Sequence, residues 1–328
     1  MLAARLHAPN EMTCEEVARP SLGELDGEAG VLIESAVTTI CGSDVHALNA
    51  DVGLVPYPCP HGYPGHETIG KVVDTSTDDL DVGQVVLGVP DPSRCAAFAE
   101  FQVLPTRYAL PLPEGARPET MVLAQQLGTV IYALRRFGVD SGGEVATVIG
   151  AGTAGVFFTS RLKALGFEQV IVSDLDPFRL DRAARAGADV TVHVPAENVA
   201  EATMDISGGR GADVVIEAAG YDIARADAVA CVRQRGFVGL FGLPERKGHA
   251  AFPLYDFFRK NAVMQASTHA QDEPDLRSFR EAIGLIATNA IAVDGLVTHR
   301  FSIERIHEAI VTAEDHDGGV GKVAVTFA

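Results

Sequence analysis

Two rhythms of apolar and polar positions divide the chain. Up to about residue 125, apolar residues come in short runs broken by Gly, Pro and Asp, the pattern of strands and turns. Gly30-Val-Leu-Ile-Glu-Ser-Ala-Val37, Gly70-Lys-Val-Val-Asp74 and Gly83-Gln-Val-Val-Leu-Gly-Val89 are such runs. From Thr120 to Phe137 the spacing turns helical, with Leu123, Leu127, Ile131 and Leu134 on one face. Beyond it the second rhythm begins. Glu144–Ile149 predicts a strand, a glycine turn comes next, and a helix runs through Leu165. Gln169–Asp174 predicts the next strand and Arg179–Ala186 the next helix, and Ala212–Glu217 and Gly236–Phe241 continue the alternation. Strand–helix repetition of this kind implies a doubly wound parallel sheet with helices on both faces. After Lys260 the pattern is mixed: Val297–Phe301 and Gly321–Phe327 predict strands, with a helix over Ile303–Ala313 between them. The expected class is therefore α/β, with a doubly wound domain at about 126–265 inserted in a β-rich domain at about 1–125 that resumes at about 266–328.

The glycine turn carries chemistry. Gly150-Ala-Gly152-Thr-Ala-Gly155 fits G-x-G-x-x-G between a strand and a helix, and Asp174 closes the next strand about 20 residues on. Gly150 permits the tight turn, Gly152 lets a pyrophosphate approach the backbone, and Gly155 lets helix and strand pack closely. The helix N-terminus offers unpaired N–H groups to the phosphates. A carboxylate at Asp174 accepts from the ribose hydroxyls and repels a 2′-phosphate, so the expected cofactor is NAD rather than NADP. Asp176 competes for that role if the strand ends later, and Arg179 lies near enough to soften the preference.

Composition narrows the partners. The 328 residues are 47% hydrophobic, enough for two cores, and the formal net charge is −18. Such a surface repels nucleic acid and anionic membranes. The start of the chain has no long apolar segment before Glu11, Glu15 and Glu16, and Val145–Phe158 is too short and too glycine-broken to span a bilayer. The five cysteines, Cys14, Cys41, Cys59, Cys95 and Cys231, are odd in number and scattered, as in a reducing compartment. These readings point to a soluble cytoplasmic protein.

A second cluster, Cys41-Gly-Ser43-Asp44-Val-His46 and then Gly65-His66-Glu67, resembles the zinc-dependent medium-chain alcohol and polyol dehydrogenases. The resemblance runs over nearly the whole chain, to Val297-Thr-His-Arg-Phe301. It implies a GroES-like catalytic domain with an inserted Rossmann domain, a homodimer or homotetramer, and reversible NAD-linked oxidation of a small-molecule secondary alcohol, such as a polyol, cyclitol or sugar derivative, to a ketone. A thiolate, an imidazole and a carboxylate suit Zn²⁺. By resemblance Cys41 and His66 hold zinc, with Glu67 bound directly or standing just behind the ligands. Ser43 takes the alcohol proton and passes it toward His46, Asp44 orients a ligand or the loop, and Thr129 lies against the nicotinamide. Gln125 aligns with a further metal position, although an amide is a weak zinc ligand. Both Gln125 and Gln126 read equally well as surface residues of a helix. Relatives carry four closely spaced cysteines for a structural zinc; here only Cys95 stands in that region, so one catalytic zinc is expected and no structural one. Cys59 and His61 belong to a proline-rich loop with a shaping role, and Lys322 reads as a solvated lysine or one that reaches the cofactor phosphates. Two other readings stand beside this one: a metal-free reductase of an activated double bond using NADPH, and a non-catalytic dinucleotide sensor.

Overall fold

The computed structural model describes residues 1–49, 55–315 and 319–327. In chain order the elements are β1 (Leu2–Ala8), β2 (Glu11–Glu16), β3 (Gly30–Thr39), α1 (Gly42–Asn49), β4 (Glu67–Thr75), β5 (Val85–Gly88), β6 (Phe101–Pro105), β7 (Ala109–Pro111), α2 (Pro118–Met121) and α3 (Leu123–Phe137). Next come β8 (Val145–Ile149), α4 (Thr153–Leu165), β9 (Gln169–Asp174), α5 (Pro177–Arg185), β10 (Val190–His193), α6 (Val199–Ile206), β11 (Ala212–Glu217), α7 (Asp222–Cys231) and β12 (Val232–Leu240). The chain continues with α8 (Leu254–Lys260), β13 (Val263–Ala266), α9 (Arg277–Ala287), β14 (Val297–Ser302), α10 (Ile306–Glu314) and β15 (Lys322–Thr326). Contacts divide it into two compact units: Met1–Gly128 with Gln271–Asp315 and Val320–Ala328, and Thr129–Ala270 with His316–Gly319.

The first unit is a seven-stranded sheet in the order β14-β15-β3-β4-β5-β7, with β6 also on β3, and a separate β1–β2 hairpin. β3 is central because nearly all of its residues are buried. Its register gathers residues that are far apart in sequence. Thr39 at the end of β3 lies opposite Glu67 at the start of β4 and opposite Ala324 on β15. Lys322 precedes Ala324 by one pleat period, so it shares that residue's face. One core joins Leu6, Ile40, Leu48, Phe98, Ile306, Ile310 and Val325, and another joins Val31, Ile33, Val72, Val86 and Leu104.

The second unit is a six-stranded, all-parallel sheet in the order β10-β9-β8-β11-β12-β13. β8 is buried over its whole length, as a central parallel strand must be. The chain winds one way from β8 to β10, then returns to the other side of β8 as β11, so the topological switch point lies between β8 and β11.

The fold corrects one boundary. The helical stretch expected over Thr120–Phe137 is two helices, with Val122 as a turn between them. There the Gln125 N–H bonds the Val122 carbonyl at 3.2 Å, three residues back, and this tightens the backbone. No helix among the described residues is long and apolar enough to cross a membrane.

Candidate functional site

In the first unit, Cys41 stands just past the end of β3, and Ser43 and Asp44 open α1. His66 stands immediately before β4 and Glu67 is its first residue. Gly65 makes this approach possible: a Cβ there would sit 2.7 Å from both the ring and the amide nitrogen of Phe98. Cys41, His66 and Glu67 each offer a ligand atom, and the three atoms lie within 4.8 Å of one another. Adjacent residues of a regular strand face opposite ways, but His66 lies just outside β4, so both side chains reach one point.

Asp44 organises the cluster. It is fully buried, and its Oδ2 accepts the Cys41 backbone N–H at 2.8 Å. Its Oδ1 lies 3.1 Å from His66 Nδ1, which also faces the Pro64 carbonyl at 3.1 Å. With two oxygens before Nδ1, a hydrogen placed there would leave Nε2 free for a metal. Burial would push the His66 imidazole down, but Asp44 and Cys41 hold it well above the ordinary range. Burial raises the Asp44 carboxyl, and His66 opposes that rise. Ser43 and His46 are three residues apart on α1 and half-buried, which puts them on one side of the helix.

Lys322 is neither solvated nor held out for phosphates. It is buried, with Nζ 2.8 and 2.7 Å from the two oxygens of Glu67 and 2.7 Å from Gln126 Oε1. Thr39 also donates to Glu67. Burial pulls the ammonium down, but Glu67 and Cys41 outweigh it and raise Lys322 above the usual lysine range. The surface reading of the glutamines is likewise corrected. Gln125 and Gln126 are both buried, and the Gln125 Nε2 has no partner. Nothing local in the sequence marks Lys322 as a partner of Glu67; the β15–β3–β4 register brings them together. Cys59 belongs to the apolar core, His61 pairs with Glu15 at 3.2 Å, and Cys95 is buried, its thiol pushed up to about 12 by desolvation.

In the second unit, Gly150 has φ +98°, a backbone conformation that favours glycine, and Gly152 faces open space. A Cβ on Gly155 would lie 1.9 Å from the Gly150 carbonyl oxygen, so α4 can start against this turn only with glycine there. Asp174 closes β9. Its Oδ2 accepts the Ala151 N–H at 2.6 Å and its Oδ1 accepts the Asp176 N–H at 2.9 Å. Asp176 is the N-cap of α5, accepting the Phe178 N–H at 2.8 Å. Arg179 is largely buried, 3.7 Å from Asp176. Thr129 is half-buried on α3. The residue that sequence reasoning missed is Glu217, fully buried at the end of β11. The available signal was an acid closing the strand beside the switch point.

Comparison with known proteins places the chain. Residues 27–114 match the family model described as alcohol dehydrogenase GroES-like domain, and residues 154–288 match the one described as zinc-binding dehydrogenase. The chain belongs to the zinc-dependent medium-chain dehydrogenase family. Within this family it is 27% identical to an L-threonine 3-dehydrogenase of Marinomonas sp. (strain MWYL1), over 94% of this chain and 95% of that one. It is 26% identical to a sorbitol dehydrogenase of Bacillus subtilis (strain 168), over 95% of this chain and 93% of that one. An alcohol dehydrogenase from Thermus sp. ATN1 shares the fold at a TM-score of 0.84 and 22% identity, covering 100% of both chains. The α/β architecture, with a GroES-like part and a parallel sheet, is thus the dehydrogenase fold of this family.

Proposed function

We propose that this dehydrogenase oxidises a secondary alcohol, in the class of polyols, cyclitols and sugar derivatives, reversibly to a ketone, with NAD and one catalytic zinc. The observation that carries the reading is the convergence of Cys41, His66 and Glu67 within 4.8 Å, with His66 oriented by Asp44. The donor set of sulfur, nitrogen and oxygen fits zinc. Cys41 and His66 would hold the ion. Glu67 would stand beside them while anchored to Lys322. Bound zinc supplies Lewis acidity that eases loss of the alcohol proton. Bound NAD supplies the hydride acceptor. Ser43 takes the proton, and His46 on the same side of α1 releases it to solvent. Gly152 admits the pyrophosphate in the turn that Gly150 and Gly155 shape, Asp174 selects the unphosphorylated ribose, and Arg179, tied to Asp176, leaves that choice with the acid. Thr129 borders the nicotinamide. The relatives named for L-threonine and sorbitol support a hydroxylated small-molecule substrate.

The same reading includes a cytoplasmic homodimer or homotetramer. Leu254, Tyr255 and Phe258 of α8 and Val263 of edge strand β13 are exposed, and residues 261–270 contain no Asp, Glu, Lys or Arg. An acidic chain that leaves exposed apolar side chains along a sheet edge supports self-association there.

Gln125 and the capture of Glu67 by Lys322 also favour a second reading, a metal-free reductase using NADPH. One experiment separates the two. Zinc content, NADH binding and turnover on a panel of polyols and ketones are measured on one preparation and on Cys41→Ala. The expected result is about one zinc per chain and NADH-linked turnover, with both lost in Cys41→Ala while NADH binding persists. Full turnover without metal would overturn the zinc reading.

A further inference from the structure

The six-stranded sheet has a cavity on the rim opposite the Gly150 turn. In a parallel sheet all strand starts share one rim, and the dinucleotide crevice lies at the other, beyond the strand ends. This cavity sits at the starts of β8, β11 and β12 and encloses about 350 Å³. Small molecules bind in cavities from about 300 Å³ upward. Three rings line it: Phe137 at the end of α3, Phe167 just after α4, and Phe237 of β12. Phe137 and Phe167 are buried. The Phe137 and Phe237 ring centroids are 5.4 Å apart, with the planes tilted by 50°. The proposed oxidation uses none of these residues.

The charges around the cavity do not cancel. Asp213 is fully engaged: Oδ2 accepts the Glu144 and Val145 N–H groups, and Oδ1 accepts from Arg233 Nε at 2.6 Å. Arg233 also donates to the Gln234 carbonyl at 2.7 Å. Nearby Glu144 is held by Arg210. Arg235 lines the same cavity, is exposed, and has no hydrogen bond or ion pair among the described residues. Its backbone is a second, independent observation. Arg235 has φ +55°, in the left-handed region. Eight non-glycine residues among those described have positive φ, and six of them are Asn, Asp or His, the types that tolerate it. Arginine is strained there, where glycine would not be. A bound anion accounts for both the strain and the uncompensated charge.

We propose that this cavity binds a small aromatic carboxylate, with its ring system among Phe137, Phe167 and Phe237 and its carboxylate on Arg235. Aromatic rings prefer tilted and offset contacts, and the tilted Phe137–Phe237 pair offers both kinds of face. A guanidinium meets a carboxylate with two parallel N–H groups. The net charge of −18 repels anions in general, so an anion binds here only beside a local cation that no acid has taken. Arg235 meets that condition and Arg233 does not.

The test is a calorimetric titration of the full chain with 2-naphthoate and its neutral analogue 2-naphthamide. Wild type should bind naphthoate with a Kd below about 1 mM, at least about tenfold tighter than naphthamide. Saturating NADH should leave naphthoate binding within about twofold, since the two ligands occupy opposite rims. Arg235→Gly removes the charge and relieves the backbone, so it should resist urea at least as well as wild type. It should nevertheless bind naphthoate at least about tenfold more weakly and naphthamide within about twofold of wild type. Arg235→Lys keeps the charge but not the planar fork, and should fall between the two. Ser141→Trp places a ring into the cavity from an exposed position of its lining and should abolish binding of both probes. Equal naphthoate affinity in wild type and Arg235→Gly would overturn the proposal. So would displacement of naphthoate by NADH, or no naphthoate binding by wild type. An Arg235→Gly variant less stable than wild type would give Arg235 a structural reason and overturn the inference from strain. If Arg235→Gly changes only the sedimentation of the chain, the cavity is a contact between copies and the proposal fails.

Discussion

The two units build their sites from opposite materials. Around Gly150 the second unit works mainly with backbone: a glycine turn, the open end of α4, and N–H groups pinned by one acid from each neighbouring strand. Around Cys41 the first unit works with side chains, and most of their charge is buried: Asp44, Glu67 and Lys322 are all under 5% exposed. A backbone site is specified by a short stretch of chain and tolerates change in the side chains around it. A buried ionic site is specified by register between distant strands, and each of its members depends on the others.

The largest expected effect tests that dependence. Lys322→Met leaves Glu67 buried without its cation and deprives Gln126 of a donor. Breaking a buried pair from one side costs about 3–5 kcal/mol, because the remaining charge stays desolvated. Urea unfolding of the chelator-treated variant should show a loss of this size in the first unit. The double variant Lys322→Met/Glu67→Gln should recover at least about half of it, since two neutral groups replace the pair. A single variant as stable as wild type would mean that the first unit's cluster is no more interdependent than the second unit's turn.

This contrast also explains what could be read from the chain. The dinucleotide turn and the strands Gln169–Asp174 and Ala212–Glu217 were legible because their determinants are contiguous: apolar runs, then glycines, then a closing acid. Cys41, Ser43, Asp44, His66 and Glu67 were legible as two short motifs, but their partners were not. Lys322 lies 255 residues from Glu67 in sequence, and a lysine is rarely buried, so the solvated reading was the natural one. Gln125 and Gln126 were hidden for the same reason: polar residues opening a helix look like its exposed face, and only the packing of α3 buries them. The β1–β2 hairpin escaped because the alternation in Glu11-Met-Thr-Cys-Glu-Glu16 rests on only two apolar residues, Met12 and Cys14. Its turn residue Asn10, at φ +61°, was the one available signal.

An intermediate effect is expected where the second unit does use a charge. Asp213 at the start of β11 accepts the Glu144 and Val145 N–H groups at 2.8 and 3.0 Å, and Arg233 Nε lies 2.6 Å away. Partial burial raises its carboxyl, but the Val145 N–H, Arg233 and the Glu144 N–H together lower it below the ordinary 3.8. A carboxyl lowered on folding contributes stability that is present above its unfolded pKa and is lost as pH falls through the folded one. Asp213→Asn should therefore cost about 1–3 kcal/mol near neutral pH. Denaturant curves from about pH 6 to about pH 3 should show the gap between wild type and variant closing as pH falls below about 4. A gap that is constant with pH would show that the carboxylate charge contributes nothing beyond its shape.

The smallest effect bears on cofactor choice. Asp174 has one oxygen on the Ala151 N–H and the other on the Asp176 N–H, yet each oxygen keeps a second lone pair for a ribose hydroxyl. Asp174→Asn keeps the size and one acceptor, but it removes the negative charge that repels a 2′-phosphate. NADH binding should weaken by a few-fold, about 0.5–1.5 kcal/mol, as expected for one hydrogen bond in a partly exposed site. NADPH binding should strengthen, so the ratio of the two affinities should shift by about tenfold or more. Arg179 sets the bound on that gain, because it is largely buried against Asp176 and must leave it to meet a phosphate. Adding Asp176→Asn should therefore enlarge the NADPH gain if Arg179 is the limiting partner. If neither variant changes the NADH to NADPH ratio, selection does not lie in the carboxylate. It would then belong to the backbone shape of the turn, and the second unit's site would be backbone-built throughout.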